Sequence, residues 1–338
     1  MMKKARYFQS LEGQTIRCQL CPQLCTIKPT EQGFCQNREN QAGVMYLNSY
    51  GTASGFQLDP IEKKPLHHFY PGSGVYSFGT TGCNLGCKYC QNWGISKKEQ
   101  WDNFAISTDP ADIAAAAKNA GATSVAMTYN DPVIYLEFAV DVAQACKEAG
   151  LNVVMVSAGY VNKAPRMELF SQVDGVNIDL KSFSEPFYQR ICKGHVEPVK
   201  ETLLYLAKET DVWLEVTCLL IEGENDSQRE VEEMSQWIAE ELGPGVPLHF
   251  TAFHPDYLMK DHRQTSLKTV TDARKTALAA GLHHVYTGNL YHTEGDTTFC
   301  PSCSEPVIVR DWYEISENHL DTGGLCKHCG VAIAGRFV

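Results

Sequence analysis

No stretch of this 338-residue chain approaches the roughly 18 consecutive apolar residues that a membrane-spanning helix needs. The first residues, Met1-Met2-Lys3-Lys4-Ala5-Arg6-Tyr7-Phe8, are basic, but no apolar segment follows, so a secretory signal is not expected. Positive charge is scarce as well: 29 Lys and Arg against 40 Asp and Glu leave a net charge of −11 at pH 7. That balance argues against a general nucleic-acid-binding surface, though not against a local one. Cysteine, in contrast, is abundant, at 14 residues. Eleven of these fall into three tight clusters, and only Cys146, Cys192 and Cys218 stand apart. Clustering without a secretory leader reads as metal binding in a reducing compartment, not as a disulfide framework. The expected location is the cytoplasm.

The central cluster lies in Val75 to Trp93, where a short apolar run breaks at Gly79 and Gly82 into a loop carrying Cys83, Cys87 and Cys90. No fourth cysteine follows until Cys146. Thiolates are the usual ligands of iron–sulfur clusters, four for a closed cubane. Three would hold three irons and leave the fourth open for a substrate, as catalytic zinc sites keep one position open. A zinc knuckle with a remote fourth ligand, or three unrelated buried thiols, is the competing reading.

The C-x3-C-x2-C loop resembles the signature of the radical S-adenosylmethionine (SAM) superfamily. The resemblance implies a [4Fe–4S] cluster on Cys83, Cys87 and Cys90 whose open iron chelates the methionine end of SAM. An electron from the cluster then cleaves the sulfonium, and the 5′-deoxyadenosyl radical takes a hydrogen from the substrate. It also places Tyr89, just before the last cysteine, near the adenine.

Residues 1–50 form a Cys-rich module: Cys18-Gln-Leu-Cys21-Pro-Gln-Leu-Cys25, then Cys35. Four thiolates in so short a span make a complete set for zinc or for a closed iron–sulfur cluster. Residues 51–74 read as an irregular connector, in which Asp59-Pro60 and Lys64-Pro65 disfavour one continuous helix. His67 and His68 either line a substrate site there or are simply packed.

From residue 75 to about 290 the chain alternates helix and strand. Three helices are expected to end at an Ala-Gly pair, Ala120-Gly121, Ala149-Gly150 and Ala280-Gly281, each followed by a strand. Further strands are expected at 175–180, 213–219 and 247–253, and Ser227-x-x-Glu230 reads as a capping box. Six strands and a short seventh are too few for a closed eight-stranded barrel. The expected fold is α/β, a partial (β/α)6 radical SAM barrel, with a doubly wound sheet as the alternative. In either, chemistry belongs at the C-terminal strand ends. The polar residues there are Asn130, Asp131, Ser157, Asp179, Lys181 and His254, and they are the candidates for cofactor contacts. Asp131 before Pro132 is equally a helix N-cap. Glu215 and Thr217 share one face of an apolar strand, and a charge there needs a partner or a ligand.

Residues 291–338 hold Cys300-Pro-Ser-Cys303 and Cys326-Lys-His-Cys329, separated by 22 residues. Two such knuckles are a zinc-ribbon signal. The flanking sequence reads as too short to bury a core of its own.

Taken together, these blocks resemble the radical SAM protein of the AmmeMemoRadiSam system, which is similar to pyruvate formate-lyase activating enzymes. Asp59-Pro-Ile-Glu-Lys-Lys-Pro-Leu66, Asn177-Ile-Asp-Leu-Lys181, Pro247-Leu-His-Phe250 and Phe253-His-Pro-Asp-Tyr257 carry the likeness beside the cysteine motifs. It implies Memo-like and AMMECR-type proteins as partners or pathway neighbours, and a reductant such as ferredoxin or flavodoxin. Asp131 stands where related activases have Glu, and Ser157-Ala-Gly-Tyr160 where they have Asn-Gly. The functional expectation is hydrogen abstraction from an unidentified substrate in a Memo-linked pathway. The alternatives are activation of a glycyl-radical enzyme and a non-catalytic metal-binding scaffold that docks proteins or RNA.

Overall fold

The computed structural model describes residues 2–97 and 105–337. The chain divides into two compact units. One comprises Met1–Asp59, Gly74–Asp174 and Ile191–Thr202; the other comprises Pro60–Ser73, Gly175–Arg190 and Leu203–Val338.

The first unit is built on three parallel strands, β1 (Gly74–Gly79), β2 (Ser124–Met127) and β3 (Asn152–Ser157). Ser124 of β2 lies opposite Val75 on one side and Asn152 on the other. All four β2 residues are buried, Ser124 with its three apolar neighbours, as befits a parallel strand covered on both faces. Beyond β1 comes a strand over Thr52–Pro60, which pairs antiparallel with Ile106–Ser107. The sequence expectation of an irregular connector is corrected here. Burial along Thr52–Pro60 does not alternate, so no period of two advertises the strand, and Pro60 stands at its very end.

The N-terminal residues of this unit form two small three-stranded sheets. Lys3–Lys4, Val44–Leu47 and Arg38–Gln41 make one; Phe8–Ser10, Ile16–Cys18 and Thr26–Ile27 make the other. Arg38 anchors them: its side chain is 1% exposed and bonds Glu137 at 2.6 and 3.3 Å. The same guanidinium donates to the Ile134 and Arg6 carbonyls.

The second unit carries four parallel strands, β4 (Gly175–Asp179), β5 (Trp213–Leu220), β6 (Leu248–Ala252) and β7 (Val285–Gly288), paired in that order. The two units thus supply six strands and a short seventh, the number expected. All three Ala-Gly joints are present: helices Pro110–Asn119, Leu136–Glu148 and Leu267–Ala279 each end there. The glycines sit at φ between +75° and +101°, a region that L side chains enter only with strain. Ser227 caps the helix Gln228–Trp237 by accepting the Glu230 N–H. The Glu230 carboxylate instead takes the Ser182 hydroxyl and the Phe183 N–H, so half of the expected box is made. No helix among the described residues is long and apolar enough to cross a membrane.

Candidate active site

The loop after β1 is fastened from several directions. Gly86 N–H donates to the Cys192 carbonyl at 2.7 Å and Lys88 N–H to that of Ile191 at 3.1 Å. Gln23 of the N-terminal module donates to the Asn84 and Lys193 carbonyls, and Lys97 to that of Leu85. Asn84 in turn reaches the Tyr160 carbonyl at 2.7 Å. Gly82 sits at φ +84°, and a Cβ there would meet the Cys35 carbonyl oxygen at 2.0 Å. Only glycine fits that crossing. Cys87 is buried and Cys83 and Cys90 half-buried; Cys90 Sγ lies 3.1 Å from Ser96 Oγ. The Tyr89 hydroxyl is 3.8 Å from Cys192 Sγ.

Three of the sequence candidates gather beside this loop. Asn130 follows β2 and is spent on the loop: it accepts the Thr80 N–H at 2.9 Å and donates to Thr80 Oγ1 and the Gly82 carbonyl. Asp131 accepts from Val133 N–H at 3.0 Å, Ser157 Oγ at 3.1 Å and Ala158 N–H at 2.9 Å. Its N-cap role is therefore present, and the same carboxylate ties β2 to the end of β3. Burial, and after it the Asp131 charge, push Cys83 up to about 12. Burial likewise raises Cys90, against the Ser96 hydroxyl. Such thiols stay protonated until a cation takes the proton's place, so loading the loop releases protons.

Three soft donors from one tethered loop, one buried and two half-buried, without a fourth cysteine in it, fit three corners of an iron–sulfur cluster. They are not among the side-chain sets whose ligand atoms all lie within 4.8 Å of one another. The radical SAM superfamily family model matches residues 78–238, which begin at the end of β1 and contain the loop. An uncharacterized protein of Methanocaldococcus jannaschii is 39% identical over 333 residues, covering 98% of this chain and 99% of that one.

Residues 78–238 carry a radical SAM superfamily domain.

Two solved structures agree with it in fold. A radical SAM methyltransferase from Sphaerobacter thermophilus has a TM-score of 0.51 at 15% identity, covering 85% of this chain and 76% of that one. Streptococcus suis SuiB bound to precursor peptide SuiA has a TM-score of 0.51 at 13% identity, covering 68% of this chain and 51% of that one. That domain supports an enzyme of SAM-cleaving radical chemistry and implies a [4Fe–4S] cluster and SAM as its cofactors.

The other candidates are distributed more widely. Cys18, Cys21, Cys25 and Cys35 lie near enough to act on one another electrostatically, and burial raises Cys18 to about 11 and Cys21 and Cys35 above the usual thiol range. Cys25 Sγ accepts the Phe34 N–H at 3.4 Å. Asp179 and Lys181 end β4 in the second unit, paired with each other at 2.9 Å, and His254 is exposed after β6.

The C-terminal knuckles make the tightest set: all four sulfurs lie within 4.8 Å, with Cys300 to Cys329 at 3.5 Å and Cys303 to Cys326 at 3.8 Å. Tetrahedral zinc with bonds of about 2.3 Å sets its sulfur–sulfur edges at about 3.8 Å, so the donor set fits. Burial opposes ionisation of Cys300, but the backbone N–H groups of Cys303 and Ser302, together with the Cys329 and Cys303 thiols, bring it down to about 7. The strand Pro306–Asp311 pairs with Glu314–Asn318, and Val307, Ile308, Leu320 and Ile333 bury a small core with Cys300 and Cys326. The expectation of no core is corrected to one in which two of the candidate metal ligands, Cys300 and Cys326, are themselves members. Cys303→Ser is therefore expected to lower bound zinc by about one ion per chain and to speed proteolysis near the C-terminus, with SAM still cleaved. Elemental analysis with limited proteolysis checks it; unchanged zinc with reduced iron would instead make the ribbon an iron site.

One further group was half-visible beforehand. Glu215, flagged as a charge inside an apolar strand, meets His67 and His249, and the three offer ligand atoms within 4.8 Å of one another. The signal in the sequence is a charge within an apolar strand; its histidine partners stand far along the chain.

Proposed function

We propose that this chain takes a hydrogen atom from a small-molecule substrate in a Memo-linked pathway, with Cys83, Cys87 and Cys90 as ligands of the [4Fe–4S] cluster. The observation that carries the assignment of the ligands is the loop after β1, whose three thiols are positioned by bonds from five separate segments while a fourth is not provided. Bound there, the cluster and SAM supply an electron and the 5′-deoxyadenosyl radical. The chain's own part is positioning. Asn130 holds the loop at Thr80 and Gly82, and Asp131 and Ser157 fix the ends of β2 and β3 next to it. Tyr89, beside Cys90, is assigned to the adenine side. The Memo-linked pathway, with Memo-like and AMMECR-type proteins as partners and ferredoxin or flavodoxin as reductant, is supported by the combination of sequence blocks across the chain. Two cysteine sets beyond the catalytic loop favour a small molecule over a glycyl-radical protein as the target. The compartment assigned is the cytoplasm.

The test is anaerobic: reconstitute with iron and sulfide, reduce, add SAM and measure 5′-deoxyadenosine. A well-formed reduced cluster that neither binds nor cleaves SAM would sink the reading in favour of a scaffold. Within it, Asn130→Ala removes three bonds to a buried loop, each worth about 1 kcal/mol. The expected result is faster loss of iron to a chelator by about tenfold or more, with C-terminal zinc retained; iron loss at the native rate would show that the tether is dispensable.

A further inference from the structure

The second unit holds a buried polar group that the radical chemistry leaves unused. Glu215, fully buried on β5, accepts four donors: His67 N–H at 3.0 Å, His68 N–H at 2.8 Å, Trp213 Nε1–H at 2.9 Å and His249 Nε2 at 2.7 Å. Its orientation is thus fixed from four sides, as supporting hydrogen bonds fix metal-ligating carboxylates. His67 also touches His249, with ring centroids 4.7 Å apart. Yet His67 Nδ1 is buried with no hydrogen-bond partner. Leaving such an atom unpaired is unfavourable, and a ligand would remove that cost. His67 and His249 line a cavity of about 60 Å³, shared with Thr251, Thr287 and Asp296. That is room for one or more waters, each taking about 30 Å³.

We propose that His67, Glu215 and His249 bind a single divalent transition metal, Fe2+ or Mn2+, whose remaining positions open into this cavity. The donor set is two imidazoles and one carboxylate, the pattern of open non-haem iron sites and unlike the thiolate sets elsewhere in the chain. The geometry separates it from the ribbon too. His249 Nε2 and Glu215 Oε2 are 2.7 Å apart. Donors at that separation, each about 2.1 Å from an ion, subtend about 80°, an octahedral edge and not a tetrahedral one. The ion replaces the proton now between those two atoms, which leaves to solvent. Arg310 donates to the His67 carbonyl, with Glu62 at 3.6 Å offsetting its charge, and Lys63 also lines the cavity.

The full-length protein is tested anaerobically after its cysteine sets have been loaded with iron and zinc. Mn2+, which thiolates bind poorly, is titrated and followed by the electron paramagnetic resonance of the free ion. One equivalent is expected to bind to the native chain, weakened tenfold or more in His67→Gln. That variant keeps the backbone N–H on which Glu215 depends, and an unchanged melting curve verifies its fold. Failure of the native chain to bind Mn2+, or equal binding by His67→Gln, would overturn the site. A second measurement needs no variant: one added equivalent of Co2+ should give the weak visible bands of a nitrogen–oxygen site. A strong sulfur-to-cobalt band would place the ion on cysteines and overturn the proposal. Neither readout depends on SAM cleavage, so the outcome is independent of the function proposed above.

Discussion

Cys87→Ala is expected to reduce 5′-deoxyadenosine formation below detection and to remove the iron held by the central loop. Any metal on the C-terminal cysteine set and the overall secondary structure should stay unchanged. Cys87 is the buried member of the three thiols, in a loop whose backbone is fixed on either side of it by Gly86 and Lys88. The backbone is therefore not free to bring in another donor, and no other cysteine lies within the loop. The ribbon sulfurs belong to a separate core built from the C-terminal strands. Loss should accordingly be local to one metal centre. Iron, zinc and 5′-deoxyadenosine are measured on one preparation of each variant. Full cleavage activity in a Cys83→Ala/Cys87→Ala/Cys90→Ala protein would refute the ligand assignment outright.

The second large effect is on stability. Arg38→Met leaves the Glu137 carboxylate, 3% exposed, without its guanidinium partner. Removing one member of a buried pair costs about 3–5 kcal/mol, because the remaining charge is no longer compensated. The Ile134 and Arg6 carbonyls lose their donor at the same time. Arg6 also approaches Glu137, at 4.0 Å, but is half-exposed and bonded to Glu168, so it substitutes poorly. Urea unfolding of the first unit should shift to lower concentration, with hydrogen exchange rising first over residues 1–50. The double variant Arg38→Met/Glu137→Met should recover much of the loss, since two apolar side chains of similar length leave no buried charge. If the single variant unfolds at the native concentration, the N-terminal module is held by something other than this pair.

The cysteine motifs, the Ala-Gly joints and the six strand positions were legible in the sequence because each is a local signal. Spacing, a glycine at positive φ and an apolar run all lie within a few residues. The strand Thr52–Pro60 was not, since its burial follows its neighbours and not a period of two. The roles of Asn130 and Asp131 were only half legible. A residue at a strand end can face a cofactor or face the protein, and the sequence does not say which. In the structure the Asn130 amide is spent on the cluster loop and Asp131 on a helix start and the end of β3. Glu215 was conspicuous, but its partners His67 and His249 stand 148 and 34 positions away, and only the fold brings them together.

The crossing of Gly82 over the Cys35 carbonyl bears on how freely this protein can be re-engineered. A three-cysteine loop is short enough to look like a cassette, to be swapped between relatives by grafting a dozen residues. Here it is not one. Any incoming loop with a Cβ at position 82 would collide with the peptide of an N-terminal residue 47 positions away. A workable chimera must therefore exchange both loops as a matched pair, and a library that randomises either alone will consist mostly of misfolded members.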